Sequence, residues 1–392
     1  MNANLLLLTL CQGLFLTNNV TFIAINGLVG LSMAPLGWMA TLPVMGYVVG
    51  GALSTGLVAK SQSRWGRRVS FQLGLLVALG SALLAAYAAW SHHFWLLVAA
   101  TLIAGYYSAN GQLYRFAAAE LSTPDFREKA VSLVLAGGLI GAIVGPNLAS
   151  GTRGMTETPF VGAYLALAVV AVLGMVLMAF IRFPAVAPKK PGAPGGRPLS
   201  EIMRQPVFIV AAAAAALGYG VMNLLMADTP LAMQVCGYQF SDAALVLEWH
   251  VIGMFAPGFF TGALIKRFGP LPIMAVGVGL NLLCIGTALS GVDLHQFLIA
   301  LFLLGVGWNF LFTGSTTLSM KAWTPEEKDR GQAAINFFVF ATMAMTSFAS
   351  GALVTTRGWT WLNVGSVLPV GLTGIALAWL WLRQRRVQAG TA

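Results

Sequence analysis

The sequence predicts an all-α membrane protein of twelve transmembrane helices, arranged as two pseudo-symmetric six-helix halves. Three observations predict it. Of 392 residues, 58% are hydrophobic and only 9% charged, with a mean hydropathy of +0.80, against roughly 25% charged residues in a soluble domain. Apolar runs near the length that crosses a bilayer, about 20 residues, recur from one end of the chain to the other. Two loop signatures also return at an offset of about two hundred residues, the mark of an internal duplication.

The runs fall at 4–30, 36–59, 69–91, 95–118, 130–152, 159–181, 206–229, 244–265, 271–290, 297–319, 331–354 and 360–382, separated by short polar or Gly/Pro punctuation. No charged segment or small-residue cleavage site precedes the first run, which is too long for a signal-peptide core, so it is expected to stay as a helix. The longest polar stretch, RFPAVAPKKPGAPGGRPLSEIMRQ from Arg182 to Gln205, is rich in Pro, Gly and Lys and divides the spans six and six. It is predicted to be a cytoplasmic linker. The expected organisation is a bundle at 1–181, the linker at 182–205, a second bundle at 206–382 and a tail at 383–392.

Basic residues orient the chain, because Lys and Arg are retained on the cytoplasmic side. With both termini inside, the inner connections carry Lys60, Arg64, Arg67 and Arg68, then Arg127 and Lys129, then Arg182, Lys189, Lys190, Arg197 and Arg204, then Lys266 and Arg267, then Lys321, Lys328 and Arg330, and finally Arg383, Arg385 and Arg386. Of the 22 basic residues only Arg115, Arg153 and Arg357 fall elsewhere. The net charge of +10 therefore reflects topology and contact with anionic lipid. Nucleic acid is excluded as a partner, since the charges never gather on one face. Cys11, Cys236 and Cys284 are widely separated and form no disulfide framework or zinc motif. P-loop, nucleophile-elbow and HExxH patterns are absent, so neither ATP-driven pumping nor catalysis is indicated.

The repeat is carried by GLVAK with RWGRR after the second span, echoed by GALIKRFG after the eighth, and by STPDFREKA after the fourth, echoed by WTPEEKDRG after the tenth. On these residues the whole chain resembles the major facilitator superfamily. Its loop pattern G-x-L-A-D-R-x-G-R-R is visible in Gly56, Leu57, Ala59, Arg64, Gly66, Arg67 and Arg68, and Glu120 and Arg127 fit the family's segment after the fourth span. Three extra residues interrupt the loop and its usual acid is missing, with Lys60 or Ser63 nearest the place. In the family that acid helps hold the two halves together in one state, so Arg64, Gly66, Arg67 and Arg68 form a gating loop whose contact is expected to be made differently here or to be weaker. The resemblance implies a secondary carrier working by alternating access, with a site near the bilayer midplane.

Each ionisable group inside a membrane costs about 2.5–3.5 kcal/mol at mid-bilayer, so intramembrane polar residues are the candidates for that site. They are Asn18, Asn19, Asn110, Gln112, Arg115 and Asn147 in the first half, and Asn223, Asp228, Glu248, His250, Asn309 and Asn336 in the second. Asn18, Asn19, Asn309 and Asn336 are expected to line the cavity. Arg115, near a helix end, is expected to snorkel to the interface. Gly141, Gly145 and Pro146 partly match the glycine-proline pattern of drug/proton antiporters, though small residues spaced by four equally make a helix-packing face.

His250 and Met254 are four residues apart in EWHVIGMFAPG and share one face of the eighth span, as Met222 and Met226 in MNLLM do on the seventh. Counting about 1.5 Å per residue puts both pairs at a similar depth. Thioethers with one imidazole form a soft, neutral set suited to Cu(I), and the imidazole titrates near neutral pH, which would permit proton coupling. The same methionines would serve as ordinary core filler. The segments MNLLMADTPLAM, EWHVIGMFAPGFFTGALIKRFG and LLGVGWNFLFTG resemble the CcoA-like copper importers of bacterial inner membranes. That resemblance implies copper as substrate, held by Met222, Met226, His250 and Met254, with no prosthetic group. Met233, Cys236, Asp228 and Glu248 are accessory candidates, as are His92, His93 and His295 in outer loops. Asp228 is also placed to cap the outer end of the seventh helix before Pro230, and Pro257 is expected to bend the eighth. The implied partners are the transported solute and the lipid bilayer around a monomer. Relatives of the same branch include riboflavin transporters. The readings at this point are a copper importer, an importer of an organic solute such as riboflavin, and a proton-coupled exporter of drugs or metabolites.

Overall fold

A computed structural model describes residues 2–36, 39, 42–184 and 196–389. The described residues form α1 (Ala3–Met33), α2 (Leu42–Trp90), α3 (Phe94–Gly111), α4 (Tyr114–Glu120), α5 (Arg127–Ala136), α6 (Gly138–Thr152), α7 (Val161–Phe180), α8 (Leu199–Arg204), α9 (Pro206–Val235), α10 (Phe240–Phe255), α11 (Gly258–Phe268), α12 (Pro270–Leu289), α13 (Leu294–Ser319) and α14 (Lys328–Ala389), with no strand among them. In a bilayer each backbone N–H and C=O must find its partner within the chain, and helices meet that demand segment by segment.

The chain folds as two compact units: Met1–Ala193 with Gln332–Phe340, and Pro194–Gly331 with Ala341–Ala392. In the first, α1 packs on α6 and α7, and α2 packs on α3 and α7. Lipid gives helices no hydrophobic reason to associate, so close approach at small residues supplies the contact. Gly137 and Gly141 lie against the α1 backbone at Thr9 and Leu16, a Cβ on Gly145 would sit 3.2 Å from Val20, and Thr21 Oγ1 donates to the Gly145 carbonyl at 2.9 Å. The glycines of the fifth span are thus a packing face, and Pro146 and Asn147 beside them are exposed. Deeper in the unit, Phe22, Tyr47 and Tyr164 share an aromatic core, and Tyr164 Oη donates to Asn26 Oδ1 at 2.6 Å.

The duplication is written into the packing. Gly50 of α2 lies against Gly105 of α3 with no room for a Cβ on either, and Gly253 of α10 crosses Gly305 of α13 in the same way, about two hundred residues on. Backbone conformation repeats too. Gly66, where the second span turns into the third within α2, has φ 80 and ψ 174, and Gly269 between α11 and α12 has φ 84 and ψ 164. A further glycine, Gly358, turns the eleventh span into the twelfth within α14 at φ 75 and ψ 178. Side chains are excluded from this region of backbone space, so only glycine makes these one-residue turns without strain.

Several boundaries depart from the expected spans. The second begins at Leu42. The fourth, fifth and eighth are each broken, at Gln112–Leu113, Gly137 and Ala256–Pro257. The seventh does not end near Asp228: α9 continues through Pro230 to Val235. Just before Pro230, Thr229 Oγ1 donates to the Leu225 carbonyl at 2.7 Å, while the carbonyl that the proline leaves without an N–H donor is that of Met226.

The polar stretch between the bundles is described from residue 196 onward, and that part is anchored in the second unit. Arg197 donates to Glu327 through its backbone N at 2.7 Å, Nε at 2.9 Å and Nη2 at 2.7 Å, and Gln205 Nε2 donates to the Ala322 carbonyl at 2.6 Å. The guanidinium holds the Glu327 carboxyl down to about 2, so this ion pair persists throughout the physiological pH range.

Gly269→Ala adds a methyl group whose nearest neighbour is Pro272 Cδ at 4.0 Å, so its whole cost is backbone strain of about 1–3 kcal/mol. It should lower the thermal unfolding midpoint of the purified protein by several degrees. Gly279→Ala, in a helix and with open space around its Cβ, should not; equal midpoints for both variants would refute the assignment.

Candidate functional site

Helix α13 organises the second unit, since α9, α10 and α12 all pack on it. From α9, Gly218 admits Leu311, and the half-buried Tyr219 ring meets Trp308 at 5.5 Å and Phe312 at 5.4 Å. From α10, Phe255 meets Trp308 at 5.8 Å. Trp308 and Phe312 stack at 4.8 Å with an 18° interplanar angle. Trp308 is therefore touched from both sides, and its buried Nε1 has no hydrogen-bond partner among the described residues.

The expected Met/His residues lie one to two turns beyond this cluster. Met222 is buried and follows Gly218 and Tyr219 by one turn, so it faces α13, with the half-buried Met226 a turn further. Glycines at 253 and 305 bring α10 onto α13 so closely that Gly305 abuts the His250 carbonyl, and His250 is fully buried. Its Nδ1 lies 2.7 Å from the Leu301 carbonyl. A carbonyl only accepts, so Nδ1 carries the proton and Nε2 presents a lone pair; Nε2 is buried without a partner among the described residues. Met254 is buried beside it. The His250–Met254 pair thus abuts the Leu301–Gly305 stretch of α13 from α10, while the α9 contacts with α13 are made at Gly218 and Tyr219, one turn before Met222.

Asn309 is committed to structure. Its Nδ2 donates to the Met254 carbonyl at 2.7 Å and its Oδ1 accepts from Thr261 Oγ1 at 2.7 Å, tying together the two sides of the break at Pro257. Asp228 is buried in the interior of α9 rather than at its end, Met233 is buried, Cys236 is the exposed C-cap of α9, and Glu248 is exposed on α10. His93 caps α3 by accepting from Leu96 N at 3.3 Å. In the first unit Asn18 is buried and Asn19 half-buried on α1.

Arg115 does not reach the interface. It is 2% exposed, with Nη2 donating to Asn336 Oδ1 at 2.9 Å and its guanidinium 4.9 Å over the Phe116 ring. The break at Gln112–Leu113 shifts α4 relative to α3, and the side chain turns inward to Asn336.

The loop after the second span shows how the missing acid is replaced. Arg64 is exposed over Trp65, Gly66 makes the turn, and Arg68 Nη2 donates to the Ala179 carbonyl at 2.6 Å. Arg67 is buried and donates to Glu120 through Nε at 3.2 Å and Nη2 at 2.6 Å, and through Nη2 to Gln332 Oε1 at 2.7 Å. The countercharge that the family pattern places inside the loop comes here from the end of the fourth span. The segment Gln332–Phe340, which supplies Gln332 and Asn336, belongs to the first unit although the chain on either side belongs to the second.

The aromatic cluster and the buried hydroxyls of Thr313 and Ser315, partnerless among the described residues, were not singled out from the sequence. Their signal was present in the run GWNFLFTGSTTLS, where Asn309, Thr313, Ser315, Thr316, Thr317 and Ser319 put polar groups into an otherwise apolar helix.

A superfamily of transporters is defined by this arrangement of paired helical units with repeated glycine crossings, and the comparison with known proteins agrees. The sequence profile of the Major Facilitator Superfamily matches residues 5–337 and 249–392. The chain belongs to the Major Facilitator Superfamily and is a multi-pass membrane transporter, not an enzyme. It is 39% identical over 363 residues to the riboflavin transporter RfnT of Brucella anthropi, an alignment covering 92% of this chain and 91% of that protein. To YddS of Bacillus subtilis, an uncharacterized MFS-type transporter, it is 28% identical over 372 residues, covering 89% and 84%. The crystal structure of the superfamily transporter FucP in its outward conformation superposes with a TM-score of 0.78 at 16% identity, over 96% of this chain and 98% of that one.

Glu120→Gln removes the formal countercharge of the buried Arg67, whereas Gln332→Ala removes one neutral hydrogen bond. The first should lower the thermal unfolding midpoint more, by about 1–3 kcal/mol of stability against about 1 kcal/mol. Equal shifts would contradict the role given to Glu120.

Proposed function

We propose that this transporter imports a riboflavin-like organic solute across the bacterial inner membrane by alternating access, with both termini cytoplasmic as the distribution of Lys and Arg requires. The observation that carries the reading is the 39% identity to RfnT along nine-tenths of both chains. The geometry of the second unit supports it. A flavin is a planar heteroaromatic ring with an edge of carbonyls and ring nitrogens. The half-buried Tyr219, backed by Trp308 and Phe312, offers ring surface to such a plane, and the Trp308 indole N–H is a buried donor suited to its carbonyl edge. The expectation of copper as the leading substrate gives way accordingly, because the relative that is 39% identical along nine-tenths of the chain is a riboflavin transporter.

A copper reading stands second, on one observation. The proton on His250 Nδ1 is directed to the Leu301 carbonyl, which leaves Nε2 as a buried donor of its lone pair one turn from the buried Met254. This is how histidine ligands to soft metals are oriented.

Uptake of radiolabelled riboflavin by cells expressing the chain tests the first reading. Wild type should accumulate the vitamin above vector control. Trp308→Ala should lose about tenfold in uptake at equal membrane abundance, the equivalent of one good ring contact, and Trp308→Phe should keep most of it. No uptake by wild type sinks this reading. Cellular copper content, measured in the same strains and in His250→Ala, should be unchanged by any of them. A rise with wild type that His250→Ala abolishes would install copper instead.

A further inference from the structure

We infer that the face between α12 and the last span of α14 holds an anionic phospholipid, its acyl chain in an apolar groove and its headgroup on Arg385. The two helices run antiparallel and touch where Gly374 faces Val278 Cγ1, with 3.4 Å left for a Cβ. Toward the basic end of the bundle they separate, leaving a groove of about 350 Å³ whose walls include Leu271, Ala275 and Val278 on one side and Gly374, Ala378 and Trp381 on the other. Ala275, Ala378 and Trp381 are exposed, so the groove opens on the lipid-facing side of membrane-spanning helices.

Charge decides the occupant. The Arg385 guanidinium lies 3.8 Å over the ring of Trp381, itself a wall of the groove, and Arg383 lies 5.7 Å over Trp379. On the other wall, Lys266 and Arg267 close α11 immediately before the Gly269 turn into α12. Neither Gly258–Ser290 nor Gly358–Ala392 contains a single Asp or Glu. An apolar slot walled by Trp381 with Arg385 stacked over that ring, at the depth where such rings settle, fits one acyl chain below one anionic headgroup. A zwitterionic lipid would fill the slot without satisfying the mouth, and a second copy of this chain would bring its own cations against these.

Native mass spectrometry of the full chain, extracted from vesicles of equimolar phosphatidylglycerol and phosphatidylcholine, tests the assignment. Wild type should retain phosphatidylglycerol preferentially. Arg385→Gln should reduce that preference roughly fivefold, the effect of one basic residue at a membrane surface. Ala378→Trp should expel bound lipid of both kinds by filling the slot, and Ala275→Trp provides the same obstruction from the opposite wall if the first variant folds poorly. Equal retention of the two lipids by wild type overturns the inference, as does retention that none of the three variants alters. So does a dimer that survives delipidation and is broken by Ala378→Trp, which would give the face to a second copy.

Discussion

Two helices crossing at glycines, with backbone against backbone, is the constraint on which this protein depends. In water a helix pair is driven together by the apolar surface it buries; in lipid that drive is absent, and what remains is contact area and the few polar bonds that close approach permits. Gly50 against Gly105 and Gly253 against Gly305 bring helices near enough for those bonds to form. At the second crossing the results are visible in sequence order along α13: the Leu301 carbonyl meets His250 Nδ1, Gly305 abuts the His250 carbonyl, Trp308 meets Phe255, and Asn309 reaches the Met254 carbonyl. A side chain at either glycine would push α10 outward and part every one of these.

The broken helices follow from the same logic. A break in the eighth span at Pro257 frees carbonyls that nothing in hydrocarbon would satisfy, so the structure needs Asn309 at that level, and an amide rather than a carboxylate serves because it both donates and accepts. Buried charge is treated similarly. Arg67 is held by Glu120 and Gln332, and Arg115 by Asn336 while it lies over Phe116, so each cation has directed acceptors or a π-face. Arginine suits both places because its planar donors reach two partners at once.

Function is read at two levels of resolution. The class of transporter rests on fold, family and repeated packing together. The solute rests on a relative and on the chemistry of one helix: α13 carries the indole, the hydroxyls and the carbonyl that orients His250, so aromatic and metal-directed features share a scaffold within a few turns. The same side chains cannot be assigned by type alone. An imidazole with one nitrogen bonded to a backbone carbonyl is a ligand in one carrier and a helix staple in another, and substrate transport is what separates them.

The all-helical membrane fold and its internal duplication were legible in the sequence, because a bilayer imposes its thickness on every crossing and so writes a strong, repeated hydropathy signal. The i, i+4 pairing of His250 with Met254 and of Met222 with Met226 was legible for a similar reason, helical periodicity. What hydropathy does not encode is rotation about the helix axis. It placed Arg115 at an interface, although the side chain is buried against Asn336, and it ended the seventh helix near Asp228, although the helix runs on through Pro230 to Val235. It counted Asn309 as a cavity amide, whereas both ends of that amide are committed to the eighth span. The sequence by itself determined that the chain crosses a bilayer repeatedly and which residues share a helical face; tertiary structure decided which faces meet, since that choice is made by glycine contacts between residues that are tens to hundreds of positions apart.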